Sequence, residues 1–301
     1  MAIYQRNRIF SLIVGKEGDA VEITNLNIKF EVTKTSDNKD KKNGAKVKIY
    51  NLSEDRRRRL EEDYVYVSLS VGYSDSDLHL LFAGQVVNVL NTDKEIGKFY
   101  TKRDGTNLVT ELEIDELFTN LNYSTLSTLV PEGKTVKDVL LSIVKDIPEV
   151  TRHEMNGQAI NRQVIDGFPL SGSPRQNLDK LSKEYNLEWQ IDNGVLYIAD
   201  VGGTYSDRTD NVPLISQMSG LVERPEFISP DSKRNRGKKK DKVTKKTLKL
   251  KILLNPTLIA GSVIKLDFED LTGYYKIDEV KHEGEYRGNT WYSTLHCTER
   301  V

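Results

Sequence analysis

The sequence has few of the features that mark secreted, membrane-spanning or strongly charged proteins. It contains a single cysteine, Cys297, so no disulfide can form within the chain, which suits assembly in a reducing cytosol. No run of about eighteen apolar residues occurs, and residues 1–10 lack the apolar core of a secretory signal. The net charge is −1, which excludes a global field that would attract the chain to nucleic acid or to an anionic membrane.

Signatures of catalysis and of metal or cofactor binding are also lacking. The tripeptide GKT at 133–135 matches the end of a phosphate-binding loop, but Thr128 stands where that loop requires glycine. The four histidines are not spaced to share a helix turn. His296 and Cys297 are adjacent in a predicted strand, so their side chains point to opposite faces. We therefore expect no enzyme, no metal site and no cofactor.

Residues 247–299 alternate between apolar and polar side chains with the two-residue period of half-buried strands. In the first of these strands, leucine and isoleucine alternate with lysine. Gly273 is expected to separate the second strand from the third. Gly288 and Asn289 are expected to form a two-residue turn between the last two strands, because both residue types tolerate positive φ. This series of short strands predicts a barrel or a sandwich.

Residues 1–103 show the same alternation and are predicted to form an all-β domain with one short helix. The alternation is clear at 45–50, where valine and isoleucine are separated by lysine. The helix is expected to begin after Ser53, a suitable N-cap. Its arginines at 56–59 are interpreted as a solvated face that pairs with nearby acids rather than as a nucleic-acid site. The lysine-rich stretch 35–44 is interpreted as a loop.

Residues 104–215 differ in pattern and are predicted to form a smaller α+β domain. Thr135 is a suitable N-cap for a helix, and the sequence SPRQ at 173–176 forms a capping box with proline at the first helical position. A hairpin follows this second helix. Its turn is predicted at Asn193 and Gly194, the residue pair that a type I′ turn favours.

The predicted fold is therefore mainly β, with two tube-like β-barrel domains, residues 1–103 and 216–301, flanking an α+β insert at 104–215. Both outer regions contain an alternating strand, a Gly-Tyr pair near a turn and a returning apolar strand. The Gly-Tyr pairs stand at 72–73 and 273–274. This shared order predicts two similar barrels.

Segments of both outer domains resemble, in the same order, segments of tailed-bacteriophage baseplate hub proteins, which cap the tail tube. Each segment is mainly a strand-and-turn pattern, so the resemblance depends on their joint occurrence. The matching segments are FEVTKT (30–35), AKVKIYNLS (45–53), GY (72–73), LFAG (81–84), LLNP (253–256), AGSVIKL (260–266), GYYKI (273–277), VKHEGE (280–285) and WYST (291–294).

The resemblance implies a structural virion protein without catalytic activity. It implies a homotrimer in which two barrels per chain make a pseudo-sixfold ring. Such a ring would join the six-fold tail tube to a three-fold central spike or tail tip, and would form part of the DNA channel. The insert would decorate the ring and bind baseplate wedge or tip proteins. The protein would be assembled in the host cytoplasm, and cell-wall cleavage would belong to another protein.

Residues 233–246 form the most strongly charged segment, with nine basic residues and one acid, Asp241. The segment has no aromatic side chain on which a base could stack. It is interpreted either as a solvated loop between two strands or as a contact with an acidic neighbour or with the phosphates of DNA in the tail channel. The basic residues are Lys233, Arg234, Arg236, Lys238, Lys239, Lys240, Lys242, Lys245 and Lys246.

Two other classes of function remain open at this point. The first is a cell-wall or carbohydrate-binding tail module, in which Trp189, Tyr197 and Tyr205 would stack on sugars. Trp189 and Tyr197 also fit the inside of the predicted hairpin, which argues against that hypothesis. The second is a hydrolase with a carboxylate site that no motif reveals.

Overall fold

The structure is a computed structural model that describes residues 7–16, 18–36, 43–60, 65–87, 99–116, 118–205, 212–228, 247–269 and 271–300. This part of the chain contains four α-helices, namely α1 (Glu54–Leu60), α2 (Phe118–Tyr123), α3 (Val136–Val144) and α4 (Pro174–Tyr185). Its strands are β1 (Arg8–Gly15), β2 (Val21–Ile23), β3 (Ile28–Thr35), β4 (Gly44–Tyr50), β5 (Tyr66–Tyr73), β6 (His79–Val86), β7 (Phe99–Asp104), β8 (Asn107–Asp115), β9 (Leu126–Val130), β10 (Arg152–Met155), β11 (Phe168–Gly172), β12 (Leu187–Asp192), β13 (Val195–Asp200), β14 (Leu214–Ser216), β15 (Glu226–Ile228), β16 (Thr247–Leu253), β17 (Val263–Phe268), β18 (Leu271–Glu285) and β19 (Trp291–Glu299).

One large sheet contains fourteen of the described strands and includes strands from both ends of the chain. Its order is β15-β16-β19-β18-β3-β4-β8-β6-β5-β1-β2, with β7 beside β8, β17 beside β18 and β14 beside β17. The N-terminal and C-terminal strands therefore share one set of main-chain hydrogen bonds. The contact between β18 and β3 is the point at which the two regions meet.

Strand β18 is fifteen residues long and is longer than the sequence pattern predicted. Gly273 lies within it, directly opposite Leu266 of β17, so the prediction that this glycine separates two strands is wrong. The preceding turn instead places Glu269 at φ 48°. The pairing of β18 with β19 shifts register between Ile277 and Glu279, and beyond that shift β18 pairs with β3 as well as with β19.

The turn between β18 and β19 also differs from its prediction. Gly288 and Asn289 do not form a two-residue turn, because the N–H of Glu285 donates to the carbonyl oxygen of Thr290 at 2.8 Å and leaves a longer loop. The guanidinium of Arg8 donates to the carbonyl oxygen of Gly288 at 2.6 Å. This contact from β1 holds the loop, so a tertiary interaction rather than local turn preference sets its shape.

The apolar core of the N-terminal strands is completed by residues from the C-terminal region. Leu254 and Trp291 belong to the same buried cluster as Phe30 of β3. The rings of Phe30 and Trp291 meet edge to face, with their centroids 5.3 Å apart. Gly284 lies beneath these rings, and a Cβ at this position would be 2.2 Å from Cζ of Phe30. This site therefore requires glycine for packing.

The insert forms a separate unit with its own core. Helices α3 and α4 pack with the three-stranded sheet β10-β13-β12 and the two-stranded sheet β9-β11. Both predicted helix starts are confirmed, because the side chain of Thr135 accepts an N–H at 3.2 Å and that of Ser173 accepts one at 3.3 Å. The predicted hairpin turn is confirmed as well, with φ of 49° at Asn193 and 78° at Gly194.

The structure is mainly β, as predicted, but the described strands do not close into a barrel. In the C-terminal region β14 lies beside β17 and β15 beside β16, and no pairing between described strands joins β14 to β15. The arrangement of two barrels flanking an α+β domain remains a prediction. The boundaries after residues 103 and 215 also remain predictions; β8, at Asn107–Asp115, lies in the large sheet between β4 and β6.

Candidate assembly surface

The outer face of the large sheet carries lysine and glutamate side chains that alternate across neighbouring strands. Lys46 on β4 lies directly opposite Glu31 on β3 and Glu113 on β8. Its Nζ is 2.8 Å from Oε1 of Glu113. The hydrogen bond with Glu113, supported by the charge of that carboxylate, raises the pKa of Lys46 above its ordinary value. Opposite charges placed in this way stabilise neighbouring strands by about 0.2–1 kcal/mol per pair.

The alternation continues across β18, where the two ends of the chain meet. Nζ of Lys281 is 3.1 Å from Oε2 of Glu31 and 3.1 Å from Oε1 of Glu283. A row of paired charges therefore passes from the C-terminal strands to the N-terminal strands through Lys281, Glu31, Lys46 and Glu113. In the next row along β4 and β8, Nζ of Lys48 is 3.5 Å from Oε2 of Glu111.

Paired charges of both signs give this face specific chemical properties. Lysine and glutamate neutralise one another locally, so the face is hydrated but presents no large field of one sign to a polyanion such as DNA. A cleft of about 360 Å³ lies on β3, β4 and β8, and its walls include Glu31, Lys46 and Glu113. The face is suited to contact with a hydrated or charge-complementary partner.

Two titratable groups with large pKa shifts, His282 and Cys297, lie inside the large sheet rather than on this face. Nδ1 of His282 is 2.8 Å from Oγ of Ser293, and burial, assisted by the charge of Lys34, lowers the pKa of His282 to about 3. Burial also raises the pKa of the Cys297 thiol. Cys297 is buried while His296 is partly exposed, as expected for adjacent strand residues. Among the described residues, no group of three or more His, Cys, Asp or Glu side chains is placed to hold a metal ion.

Several residues that the sequence singled out lie outside the described part of the chain. These include the whole basic segment 233–246 and residues 37–42 of the predicted lysine-rich loop. Helix α1 begins after Ser53, as predicted, and Arg56 on it is exposed. None of the described helices is both long and apolar enough to cross a membrane.

The aromatic residues proposed for carbohydrate stacking are buried. Trp189 is fully buried in the core of the insert, and its Nε1 donates to Oδ1 of Asp179 at 3.0 Å. Tyr197 and Tyr205 pack against each other, with ring centroids 5.1 Å apart. These three side chains are engaged in packing and are not available to stack on sugars. The carbohydrate-binding hypothesis therefore loses the residues on which it depended.

Sequence reasoning missed a set of buried charges between the large sheet and the insert. Lys34 on β3 is buried together with Asp192 on β12, although both residue types are usually exposed. A signal for Lys34 was present, because the two-residue period places it on the same face as Phe30 and Val32. Its partner was not readable, because Asp192 lies in another domain far along the chain.

Comparison with known proteins supports the fold. No family model matches the sequence, and no curated protein matches it. Among solved structures, the tail protein from Neisseria meningitidis MC58 superposes with a TM-score of 0.62 at 12% identity, over 96% of each chain. The 43 kDa tail protein of prophage MuSo2 from Shewanella oneidensis superposes with a TM-score of 0.61 at 9% identity, over 96% of this chain and 98% of that one.

A third similar structure comes from a secretion machine. It is an Escherichia coli component of the type VI secretion system, described as structurally similar to the bacteriophage T4 tail proteins gp27 and gp5. It superposes with a TM-score of 0.59 at 11% identity, over 91% of this chain and 74% of that one. The chain therefore has the fold of phage tail proteins, and the resemblance to baseplate hub proteins is confirmed at the level of fold.

Proposed function

We propose that this protein is a non-enzymatic structural component of a phage tail, namely the baseplate hub that joins the six-fold tail tube to the three-fold spike or tail tip. The observation that carries the proposal is the extent of the shared fold. It covers 96% of the chain and at least 96% of two separate phage tail proteins. A correspondence of this extent includes the insert as well as the large sheet.

The continuity of the large sheet supports a role as a rigid adapter. Strand β18 pairs with β17 and β19 in the C-terminal region and with β3 in the N-terminal region. Two β-rich regions in one chain, held at a constant spacing, would allow three copies to present six docking surfaces. A homotrimer of this kind matches a six-fold partner on one side and a three-fold partner on the other.

The paired charges of the outer face support a position beside the DNA channel. A channel wall with a strong positive field would retain DNA by counterion release, which would oppose ejection. In the row formed by Lys46, Lys281 and their glutamate partners, each lysine contacts at least one carboxylate. A wall of this composition would allow phosphates to pass without strong binding.

Oligomeric state tests the proposal directly. Size-exclusion chromatography with light scattering, at micromolar concentration, should give a particle of three times the 34.3 kDa chain mass, alone or with tail tube protein. Negative-stain images should show a three-fold ring with a central hole. A particle that stays monomeric both alone and with tube protein would contradict the hub assignment.

The basic segment needs a separate test because it lies outside the described residues. We propose that it contacts an acidic neighbour or channel DNA within the assembled tail. Replacing its nine lysines and arginines with serine should impair virion assembly if the partner is an acidic protein, and should change the rate of DNA ejection if the partner is DNA. A control replaces the five lysines of the insert, which are all exposed, with serine; these are Lys134, Lys137, Lys145, Lys180 and Lys183. If virion assembly and DNA ejection were unchanged, the segment would be a solvated loop without the proposed contact.

Binding assays separate this proposal from the other two classes of function. A carbohydrate-binding module would be retained on cell-wall polymers in a pulldown, and a hydrolase would lower the turbidity of a cell-wall suspension. We expect neither result. Assembly in the host cytoplasm, incorporation into the virion and contact with wedge proteins complete the proposal, and fractionation of infected cells and mature virions would test them.

A further inference from the structure

Strand β12 of the insert has two chemically different faces. Leu187, Trp189 and Ile191 point into the apolar core of the insert. Of the residues that alternate with them, Glu188 and Asp192 contact strands of the large sheet, and Gln190 contacts the loop between β16 and β17. The face that docks on the sheet is thus the polar face of an amphipathic strand.

Each of the three polar side chains has a partner on the body of the molecule. Oδ1 of Asp192 is 2.5 Å from Nζ of Lys34, and both side chains are 3% exposed. Oε2 of Glu188 is 2.6 Å from Nζ of Lys276, which is also buried. Between these ion pairs, Nε2 of Gln190 donates to a backbone carbonyl oxygen at 2.7 Å. Charged contacts therefore hold the insert at two points.

The two lysines are spaced to match the two acids. Lys34 lies directly opposite Val280 of β18, and Val280 is four residues beyond Lys276 on the same strand. Glu188 and Asp192 are also four residues apart, a separation of roughly 13 Å along a strand. Both pairs can form at once only when β12 lies in one orientation on the sheet, so the pairs define a docked position.

The docked position leaves polar atoms without partners. Oε1 of Gln190 and Oε2 of Glu116 are buried and have no hydrogen-bond partner among the described residues. Burial, together with the charge of Asp192, raises the pKa of Glu116 well above its ordinary value. If the insert moved away from the sheet, water would form hydrogen bonds with both atoms. Docking therefore has a free-energy cost that detachment of the insert would remove.

Apolar packing across the junction is limited. The insert and the large sheet have separate cores, and the cluster between them consists mainly of Tyr197, Ala199 and Tyr205. A cleft of about 350 Å³ lies beside Lys276 at this junction. Polar junctions between domains that fold separately commonly allow relative motion.

We propose that the insert is a hinged arm, held against the large sheet by the Glu188–Lys276 and Asp192–Lys34 ion pairs and able to detach from it as a folded unit. The chain passes between the two units twice, after Asp115 and after Tyr205. Detachment would expose the acidic strip on β12 while both apolar cores stay intact. The inference concerns motion within one chain and does not depend on the proposed role as a hub.

A distance measurement between two spin labels on the full chain tests the proposal. One label is attached at Ile165→Cys, which is 82% exposed on the insert, and the other at Asp75→Cys in the exposed turn between β5 and β6. Cys297 is buried and is checked for absence of labelling. With the wild-type residues at the ion pairs, the labels should show a major distance for the docked insert and a minor second distance for the detached insert. The isosteric substitutions Glu188→Gln and Asp192→Asn should each raise the second population at least fivefold.

Two further variants complete the experiment. Lys34→Met combined with Asp192→Leu replaces a buried ion pair with apolar side chains, and should reduce the second population below its wild-type level. Glu113→Gln breaks the exposed pair with Lys46, which has no role in docking, and should leave the distances unchanged. A single distance in wild type and in both isosteric variants, with the fold intact by circular dichroism, would overturn the proposal. Loss of the whole fold in the isosteric variants would also overturn it, because the insert and sheet would then be one cooperative unit.

Discussion

The joint between the two ends of the chain and the joint between the large sheet and the insert are built in opposite ways. At the first joint, β18 carries main-chain hydrogen bonds from one region to the other, and Phe30 and Trp291 pack over it. At the second joint, the contacts are mainly side-chain hydrogen bonds and the ion pairs of Lys34 and Lys276. Main-chain pairing with an apolar core produces a permanent connection, whereas buried ion pairs produce one that is specific in position but costly to dehydrate.

The largest effect is expected at the joint formed by β18. Gly284→Val would place side-chain atoms inside the volume of the Phe30 ring and should destabilise the chain by about 3 kcal/mol. Gly273→Val on the same strand is the matched control, because a Cβ there would lie 3.5 Å from the nearest side-chain atom, at Tyr275. Urea denaturation measures both variants. Equal losses of stability in the two variants would show that close packing over Gly284 is not required for the stability of this joint.

An effect of similar size is expected at the ionic joint. Lys276→Met leaves the buried carboxylate of Glu188 without its partner and should cost about 3 kcal/mol at the junction. Adding Glu188→Leu should recover most of that loss, because no unpaired charge then remains. Lys46→Met, at an exposed pair, should cost at most about 1 kcal/mol. If the double variant were as unstable as Lys276→Met alone, the loss of stability would come from losing the ion pair and not from leaving the Glu188 carboxylate unpaired.

The β18 joint should also respond to acid, with an effect that is smaller per pH unit. The folded-state pKa of His282 is about 3, below the ordinary value of 6.5, so the unfolded chain binds a proton that the folded chain excludes. Stability from the neutral imidazole is complete above pH 6.5 and falls by about 1.4 kcal/mol per pH unit as the pH drops from 6.5 towards 3. His282→Gln should flatten this slope, and His153→Gln, at an exposed site, should not. If the dependence of stability on pH were unchanged in His282→Gln, burial of neutral His282 would not be its cause.

The ionic joint should respond to pH in the opposite direction. Burial raises the pKa of Glu116, so the folded chain holds a proton that the unfolded chain releases. The stability that the neutral carboxyl contributes is complete below its ordinary pKa of 4.5 and is lost as the pH rises towards the raised value. Glu116→Gln should remove the loss of stability above pH 4.5. The prediction would be refuted if the free energies of unfolding of the wild type and of Glu116→Gln changed in parallel from pH 5 to 9.

Local patterns predicted the elements whose conformation depends on neighbouring residues. The alternation of Leu248, Leu250 and Ile252 with lysine gave β16 its buried face, and all three side chains are buried. The turn at Asn193 and Gly194 and the helix starts at 135 and 173 were also confirmed. Each of these features is decided within a few residues, because side-chain period, capping oxygens and tolerance of positive φ act locally.

Local patterns failed where distant segments decide the conformation. Gly273 occurs in a context that resembles a turn, yet pairing with β17 keeps it extended. The Gly-Tyr pairs used to compare the two outer regions are not equivalent, since Tyr73 is buried at the end of β5 whereas Tyr274 is exposed near the start of β18. Similarity between the two regions therefore needs support from their whole topology rather than from these two pairs.

The sequence by itself determined the strand-rich composition, the positions of the capped helices and of the 193–194 hairpin, and the resemblance to tail hub proteins. Only the tertiary structure decided that β18 joins both ends of the chain and that Lys34 and Asp192 meet in a buried pair. The physical reason is the range of the interactions. Propensity and period act over a few residues, while strand pairing and ion pairing between segments more than 150 residues apart in the chain depend on how the whole molecule packs.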